Sequence, residues 1–238
     1  MRGLQTPVRA IRRQVFTEVA KLGFKANAET LVADMEATPY EIVGEDSEVK
    51  YRESIYRARA VVRERLRLAM GLSLRPENKP VHLTAGVEAS NISEKYYEPP
   101  LMQVIPSGCE SCEENKYEVS NMCKGCLAHP CQEVCPRGAI SMVNGKSFID
   151  QDKCIKCGKC KSVCPYDAIA KKERPCKKAC GVNAITSDKL GRAYIDADKC
   201  VSCGMCMVSC PFGAISDKSQ IFQLARALSE GEEIVAEV

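Results

Sequence analysis

The 238-residue chain has no tryptophan, only 5% aromatic residues, and no cysteine before residue 109. Nor is there an apolar run approaching the ~18 residues that a membrane-spanning helix requires, which excludes an integral membrane protein of helical type. The opening stretch, MRGLQTPVRAIRRQVFTEVAKLGF, lacks an uninterrupted apolar core of signal-peptide length. Arg12-Arg13 resembles a twin-arginine signal, a route that carries prefolded metalloproteins. Glu18, Lys21 and Lys25, however, break up the segment where its apolar core should follow. The expectation is a soluble, cytoplasmic chain. Also missing are a glycine-rich nucleotide fingerprint and any nucleophile–base pair in a recognisable motif, so no catalytic residue is assigned. His82 has no metal-ligand company nearby, so it is read as structural.

What the chain does have is cysteine. All sixteen lie between Cys109 and Cys210. A disulfide framework needs an oxidising compartment and hence export. Without an export signal the cysteines are read as metal ligands.

The first seventy residues read as helices. Thr6-Pro7 suits an N-cap and first helical position, and Val8, Ile11, Val15, Val19 and Leu22 follow at helical spacing until Gly23. A second helix covers about 28–38 and should stop before Pro39. A third runs from about Ser47 to Met70, with Tyr51, Ile55, Ala58, Val62, Leu66 and Ala69 on one face and Gly71 as its end. Its other face carries Arg52, Arg57, Arg59, Arg63, Arg65 and Arg67. Glu53 and Glu64 interleave and no nucleic-acid-binding motif accompanies them, so the expectation is a solvated face or a docking face for an acidic protein, and no nucleic-acid partner. Residues 72–108, with five prolines, read as an extended surface connector. Asn91-Ile92-Ser93 matches a glycosylation sequon that has no meaning in the cytoplasm.

Beyond the connector the chain repeats itself. CPRGAI (135–140), CPYDAI (164–169), CGVNAI (180–185) and CPFGAI (210–215) end alike, and FIDQDKC (148–154) and YIDADKC (194–200) begin alike. Stacked, they form two copies of one unit, C-x3-C-[PG]-x-x-A-I, a hairpin, then [FY]-I-D-x-D-K-C-x2-C-x2-C-x3-C-P. Asn144-Gly145 and Leu190-Gly191 stand where each hairpin needs a tight turn.

The runs Cys154/157/160/164-Pro165 and Cys200/203/206/210-Pro211 resemble bacterial ferredoxins, whose motif is C-x2-C-x2-C-x3-C-P. In that family the first three cysteines hold one 4Fe-4S cluster and the fourth ligates its neighbour. Short loops let successive thiolates wrap a cubane, and proline suits the helix start that carries the fourth away. Zinc sites favour two separated pairs, a poorer match to three cysteines within seven residues.

The resemblance implies a module at residues 123–170, whose first half is Cys123-x2-Cys126-x4-Cys131-x3-Cys135-Pro. Crossing the fourth ligands puts one cluster on Cys123, Cys126, Cys131 and Cys164, and another on Cys154, Cys157, Cys160 and Cys135. His129, inside the stretched loop, is read as a surface residue that has the option of donating to a cluster sulfur. A second module lacks its opening pair, and the one unused pair is Cys109-x2-Cys112. Its clusters then rest on Cys109, Cys112, Cys176 and Cys210, and on Cys200, Cys203, Cys206 and Cys180. Four clusters use all sixteen cysteines. A similar nesting occurs in the multi-cluster electron-transfer subunits of molybdenum oxidoreductases. The rival is a zinc site on Cys109, Cys112, Cys123 and Cys126, which strands Cys131 and Cys176.

The expected fold class is α+β: a helical segment (1–71), the connector (72–108), and a four-cluster region (109–216). In that region module one (123–170) sits within module two (109–122 plus 171–216). A C-terminal helix over about Asp217–Leu228 and an acidic-apolar tail complete the chain at 217–238. Formal charge is +3, and four clusters of about −2 each would bring it to roughly −5. Lys153, Lys156, Lys159, Lys161, Lys171, Lys172, Lys177 and Lys178 offset that charge or attract an acidic donor such as a small ferredoxin. Taken whole, the chain is similar to the N-terminal region of monomeric [FeFe]-hydrogenases, where a helical segment and a four-cluster region precede the catalytic domain. The resemblance implies low-potential electron relay in an anaerobic setting, with the hydrogenase catalytic domain as acceptor. That domain's own cysteine motifs are absent from these 238 residues, so no hydrogen chemistry is expected of them. The alternative is a self-standing polyferredoxin or an electron-transfer subunit of another oxidoreductase.

Overall fold

A computed structural model describes residues 3–25, 28–45, 52–90 and 99–235. Helices α1 (Pro7–Lys25), α2 (Ala28–Ile42) and α3 (Ile55–Ala69) precede a single turn, α4 (Val87–Ser90). From there short strands alternate with helical turns: β1 (Met102–Val104), a 3-10 turn (Pro106–Gly108), β2 (Lys116–Val119), α5 (Pro130–Glu133), β3 (Ile140–Val143) and β4 (Lys146–Ile149). Next come α6 (Lys159–Ser162), β5 (Ile169–Lys172), α7 (Pro175–Lys178), β6 (Ile185–Ser187), β7 (Ala193–Ile195), α8 (Met205–Ser209) and β8 (Ile215–Asp217). The longer α9 (Ile221–Glu230) follows. Among the described residues, no helix is long and apolar enough to cross a membrane. The chain forms two compact units, one made of Met1–Ser111 with Ala179–Val238 and one of Cys112–Lys178.

In the first unit, α1, α2, α3 and α9 share an aliphatic core. Ile11, Val15, Val19 and Leu22 of α1 meet Met35 of α2, Val62 and Leu66 of α3, and Phe222 of α9. These are the positions that the 3.6-residue period places on one face. Gly23 does not end α1, which runs two residues further. Its missing side chain instead makes room for α9: a Cβ there would lie 2.7 Å from both Ala225 Cβ and the Phe222 carbonyl oxygen. Helix α2 likewise continues through Pro39 to Ile42. Helix α3 starts at Ile55, where the Ser54 hydroxyl accepts the Arg57 N–H at 3.2 Å. Residues 47–51 of its expected first turns, with Tyr51, lie outside the described residues, as does the 91–93 sequon.

The arginine face of α3 is not solvated. Arg65 and Arg67 are buried, at 2% and 6% exposure. The guanidinium groups bind backbone carbonyls, which a fork of five fixed donors does well. Arg67 donates to the carbonyls of Ser73, Leu83 and Ala85 at 2.9, 2.6 and 2.8 Å. Arg65 donates to Gly213 O, Arg57 to Ser107 O at 2.8 Å, and Arg52 to Phe212 O at 2.7 Å. Arg59 reaches Val43 O at 2.9 Å, and Arg63 the Tyr40 hydroxyl at 2.7 Å. Helical periodicity counts charge, not the carbonyls that irregular chain leaves unpaired; those carbonyls drew the arginines in.

The 72–108 segment is correspondingly less open than its prolines suggest. Leu72, Leu83 and Val87 are buried in the helical core, and β1 pairs antiparallel with β8 (Met102↔Asp217, Val104↔Ile215). Asp217, expected to open the last helix, therefore ends a strand, and α9 starts at Ile221. The first unit also holds the antiparallel hairpin β6–β7 (Ile185↔Ile195), whose turn is held by Leu190 and Arg192 N–H groups donating to Asp188 Oδ1 at 2.9 and 2.8 Å.

The second unit has the same layout in one continuous stretch. Its outer strands β2 and β5 pair antiparallel (Lys116↔Lys172, Val119↔Ile169), and β3–β4 forms the inner hairpin (Ile140↔Ile149). Asn144 and Gly145 both take positive φ in its turn, the requirement of a tight two-residue hairpin. Its small core is Tyr117, Ile140, Ile149 and Ile169 together with Cys131 and Cys160.

Candidate metal centres

All sixteen cysteines are free thiols in the fold. They are presented by a backbone pattern that recurs four times. After each C-[PG]-x-x-A segment a strand begins, and the alanine N–H donates back to the cysteine four residues earlier. Ala139 donates to Cys135 Sγ at 3.3 Å, Ala168 to Cys164 at 3.4 Å, Ala184 to Cys180 at 3.3 Å and Ala214 to Cys210 at 3.4 Å. The residue before each alanine (Gly138, Asp167, Asn183, Gly213) has positive φ, which turns that N–H inward. Cys180 is followed by glycine rather than proline, yet it makes the same bond.

A second left-handed position precedes Cys112, Cys126, Cys157 and Cys203, the second cysteine of the first C-x2-C in each cysteine run: Ser111, Gly125, Lys156 and Ser202. Three of these are not glycine, and non-glycine residues rarely adopt that conformation. Gly125 is the tightest: a Cβ there would strike the Gly145 carbonyl of the hairpin turn. The third cysteine of each set (Cys131, Cys160, Cys176, Cys206) lies on a helical turn, α5 to α8, and is buried. Two residues before it stand His129, Gly158, Arg174 and Gly204. His129 is thus the left-handed residue (φ 41°) entering α5, where the full runs use glycine; its ring makes no capping hydrogen bond there.

Hairpin strands supply further donors. Ser147 N–H points at Cys123 Sγ at 3.5 Å, and its hydroxyl lies 3.3 Å from Cys131 Sγ. Ala193, which occupies Ser147's position in the other hairpin, donates to Cys109 Sγ at 3.4 Å. In the second unit, Cys131, Cys135, Cys154, Cys160 and Cys164 pack into one cluster with the isoleucines. There too the buried Arg174 guanidinium donates twice to the Cys112 carbonyl, at 3.1 and 3.0 Å, and Lys177 pairs with Glu114 at 3.0 Å. Ser147 and Arg174 escaped sequence reasoning. The signal for Ser147 was its place beside the repeated F-I-D; Arg174 had only its spacing from Cys176.

This donor set fits 4Fe-4S cubanes. Every ligand is a thiol, and N–H groups are aimed at sulfur, where they steady thiolate charge and tune potential. The Ser147 N–H lowers the pKa of Cys123, while burial raises that of Cys160 and pushes Cys206 up to about 11. Loading such buried thiols displaces protons, which couples assembly to pH. Among the described residues no group of three His, Cys, Asp or Glu is gathered as a single metal ion requires. A cubane, with an iron at each of four corners, sets its thiolates farther apart than one ion does.

The comparisons with known proteins converge on the same chemistry. Residues 153–214 match the 4Fe-4S dicluster domain family, and residues 123–173 match the LdpA Fe-S cluster-binding domain family. The cysteine-rich part carries 4Fe-4S dicluster, ferredoxin-like domains. An uncharacterized ferredoxin of Methanocaldococcus jannaschii is 32% identical over 99 residues, 34% of this chain and 63% of that protein. A probable iron-sulfur protein of the Frd operon of Proteus vulgaris is 39% identical over 69 residues, 29% and 44% of the two chains. The electron transport protein HydN of Escherichia coli is 41% identical over 56 residues, 24% and 32%. The chain thus spans between 32% and 63% of the length of these relatives. What it shares with them is the cysteine-rich, ferredoxin-like stretch.

Proposed function

We propose that the chain is a four-cluster electron relay built from two nested ferredoxin modules, serving an [FeFe]-hydrogenase catalytic domain. Each 4Fe-4S cluster, when bound, takes up and gives back one electron at low potential. One module would use Cys123, Cys126, Cys131 and Cys164 with Cys154, Cys157, Cys160 and Cys135. The other would use Cys109, Cys112, Cys176 and Cys210 with Cys200, Cys203, Cys206 and Cys180.

The observation that carries the nested reading is the matching pair of hairpin contacts. Ala193 N–H meets Cys109 as Ser147 N–H meets Cys123, so each hairpin serves its own opening C-x2-C pair. The outer strand pairs repeat the correspondence, β1 with β8 and β2 with β5. Reading residues 153–214 as one consecutive dicluster module would instead make Cys154–Cys164 and Cys200–Cys210 its two halves, and would separate each run from the hairpin it follows. Support for the hydrogenase partner is the helical segment with its MRGLQTPVRAIRRQVF opening, joined to a multi-cluster region. The ferredoxin relatives favour the second reading, a polyferredoxin that serves other oxidoreductases.

Anaerobic reconstitution tests the count: about sixteen irons and sixteen sulfides per chain are expected, with little zinc. Saturation at half that iron with stoichiometric zinc overturns it. For the partner, the dithionite-reduced chain should drive hydrogen evolution by an added [FeFe]-hydrogenase catalytic domain that lacks relay clusters. A chain that reduces viologen but leaves that domain idle belongs to the second reading.

A further inference from the structure

The two complete runs, Cys154–Cys164 and Cys200–Cys210, share their spacing and differ in charge. In both, the second cysteine is exposed, and Cys157 and Cys203 are the two exposed thiols among the sixteen. Both also carry an exposed aliphatic side chain two residues before it: Ile155 is 58% and Val201 64% exposed. Around Cys157 stand Lys153, Lys156, Lys159 and Lys161, all exposed. The matching positions around Cys203 hold Lys199, Ser202, Met205 and Met207. Each run also has two aspartates at matching positions, Asp150 and Asp152 against Asp196 and Asp198. The first therefore nets +2 and the second −1. Lys199 is tied to Asp196 at 2.7 Å. Met205 and Met207 are half-buried, and Met207 lines a pocket with Leu4, Val8 and Cys210.

We propose that the lysine collar around Cys157, with Ile155 at its tip, is the docking face for an acidic electron-carrier protein, and that electrons enter at the cluster held by Cys154, Cys157, Cys160 and Cys135. This rests on the relay reading above. An exposed ligand brings a cluster within short range of a partner's redox centre, and a small apolar contact ringed by like charge is what a carboxylate-rich partner face complements. Cys203 offers the exposure without the charge. The donor loses one electron and this chain gains one, with no atom transferred.

The test uses the reconstituted full chain and reduced plant-type [2Fe-2S] ferredoxin, an acidic one-electron carrier, with methyl viologen radical as a small reductant that needs no docking face. At about 0.01 M salt, K156E/K159E should slow reduction by ferredoxin about tenfold or more, and the gap should close near 1 M salt, where screening is nearly complete. Binding of oxidised ferredoxin, read by titration calorimetry, should weaken in parallel. The equally charged reversal K189E/K199E should change either readout less than about twofold. Equal losses in both variants, or a rate indifferent to salt, overturn the proposal. Failure of wild type to accept electrons from viologen would instead sink the relay reading itself.

Discussion

The first seventy residues and the cysteine-rich part are held together by different physics. Helices α1, α2 and α3 run 15 to 19 residues and bury an aliphatic face. From β1 to β8 the strands have three or four residues and the helical turns three to five. Strands and helices that short are not stable by themselves in water. In the second unit the buried apolar side chains are Tyr117, three isoleucines and a few small residues besides the cysteines. One region can fold on apolar burial. The other buries few apolar side chains, and its fold is expected to depend on what its cysteines bind.

The largest effect that can break this contrast is metal removal. Chelation of iron under reducing conditions should abolish amide protection across β2–β5, β3–β4 and β6–β7, because binding energy and folding energy are here the same quantity. Protection in α1 and α3 should survive. Hydrogen exchange with mass spectrometry reads both regions in one sample. Hairpins that stay protected without iron would show that the cysteine-rich part has a core of its own.

Ligand deletion comes next, and it sharpens the contrast between the two modules. In the proposed nested arrangement both thiolates would serve one cube, so Cys112→Ala and Cys176→Ala should each cost about four of about sixteen irons, and the double variant little more. Arg174 already joins the two segments by its bonds to the Cys112 carbonyl. Cys123→Ala should remove a different cluster, and its loss should add to theirs. Iron content and the low-temperature EPR spectrum of the reduced protein separate the outcomes. Loss of one shared signal by Cys112→Ala and Cys123→Ala, with another lost by Cys176→Ala, would revive a site made of the first four cysteines.

The repeat in the cysteine-rich part was legible because a cubane's geometry dictates ligand spacing, and spacing is written in one dimension. The hairpins at Asn144-Gly145 and Leu190-Gly191, and the helical face Ile11–Val15–Val19–Leu22, were legible for the same reason: each obeys a local period. What stayed hidden is what depends on partners far along the chain. The arginines of α3 read as solvated because nothing local says that Gly213 or Leu83 leaves a carbonyl for them. Residues 215–217 belong to a strand because Met102–Val104, over a hundred residues earlier, supplies the partner. Ser147 acts through its backbone N–H and hydroxyl on Cys123 and Cys131, and Arg174 through its guanidinium on the Cys112 carbonyl, and none of these partners is a near neighbour in sequence.

Gly23 gives the finest test, because sequence and structure assign it opposite signs. In an ordinary helix interior, Gly→Ala stabilises by up to about 1 kcal/mol through backbone entropy. Here the new Cβ would sit 2.7 Å from the Phe222 carbonyl oxygen and 2.7 Å from Ala225 Cβ, both on α9. One of these is backbone, so rotation of a side chain cannot relieve the clash, and α1 and α9 must move apart. Overpacking of this kind costs about 1–3 kcal/mol, which outweighs the propensity gain and leaves a net loss of about 1 kcal/mol. Urea unfolding followed by the helical circular-dichroism signal should shift to lower midpoint for Gly23→Ala while iron per chain stays at the wild-type value. A midpoint unchanged or raised would mean that Gly23 merely marks the end of a helix. A fall in iron would mean that the helical core and the cysteine-rich part do not stand on separate physics.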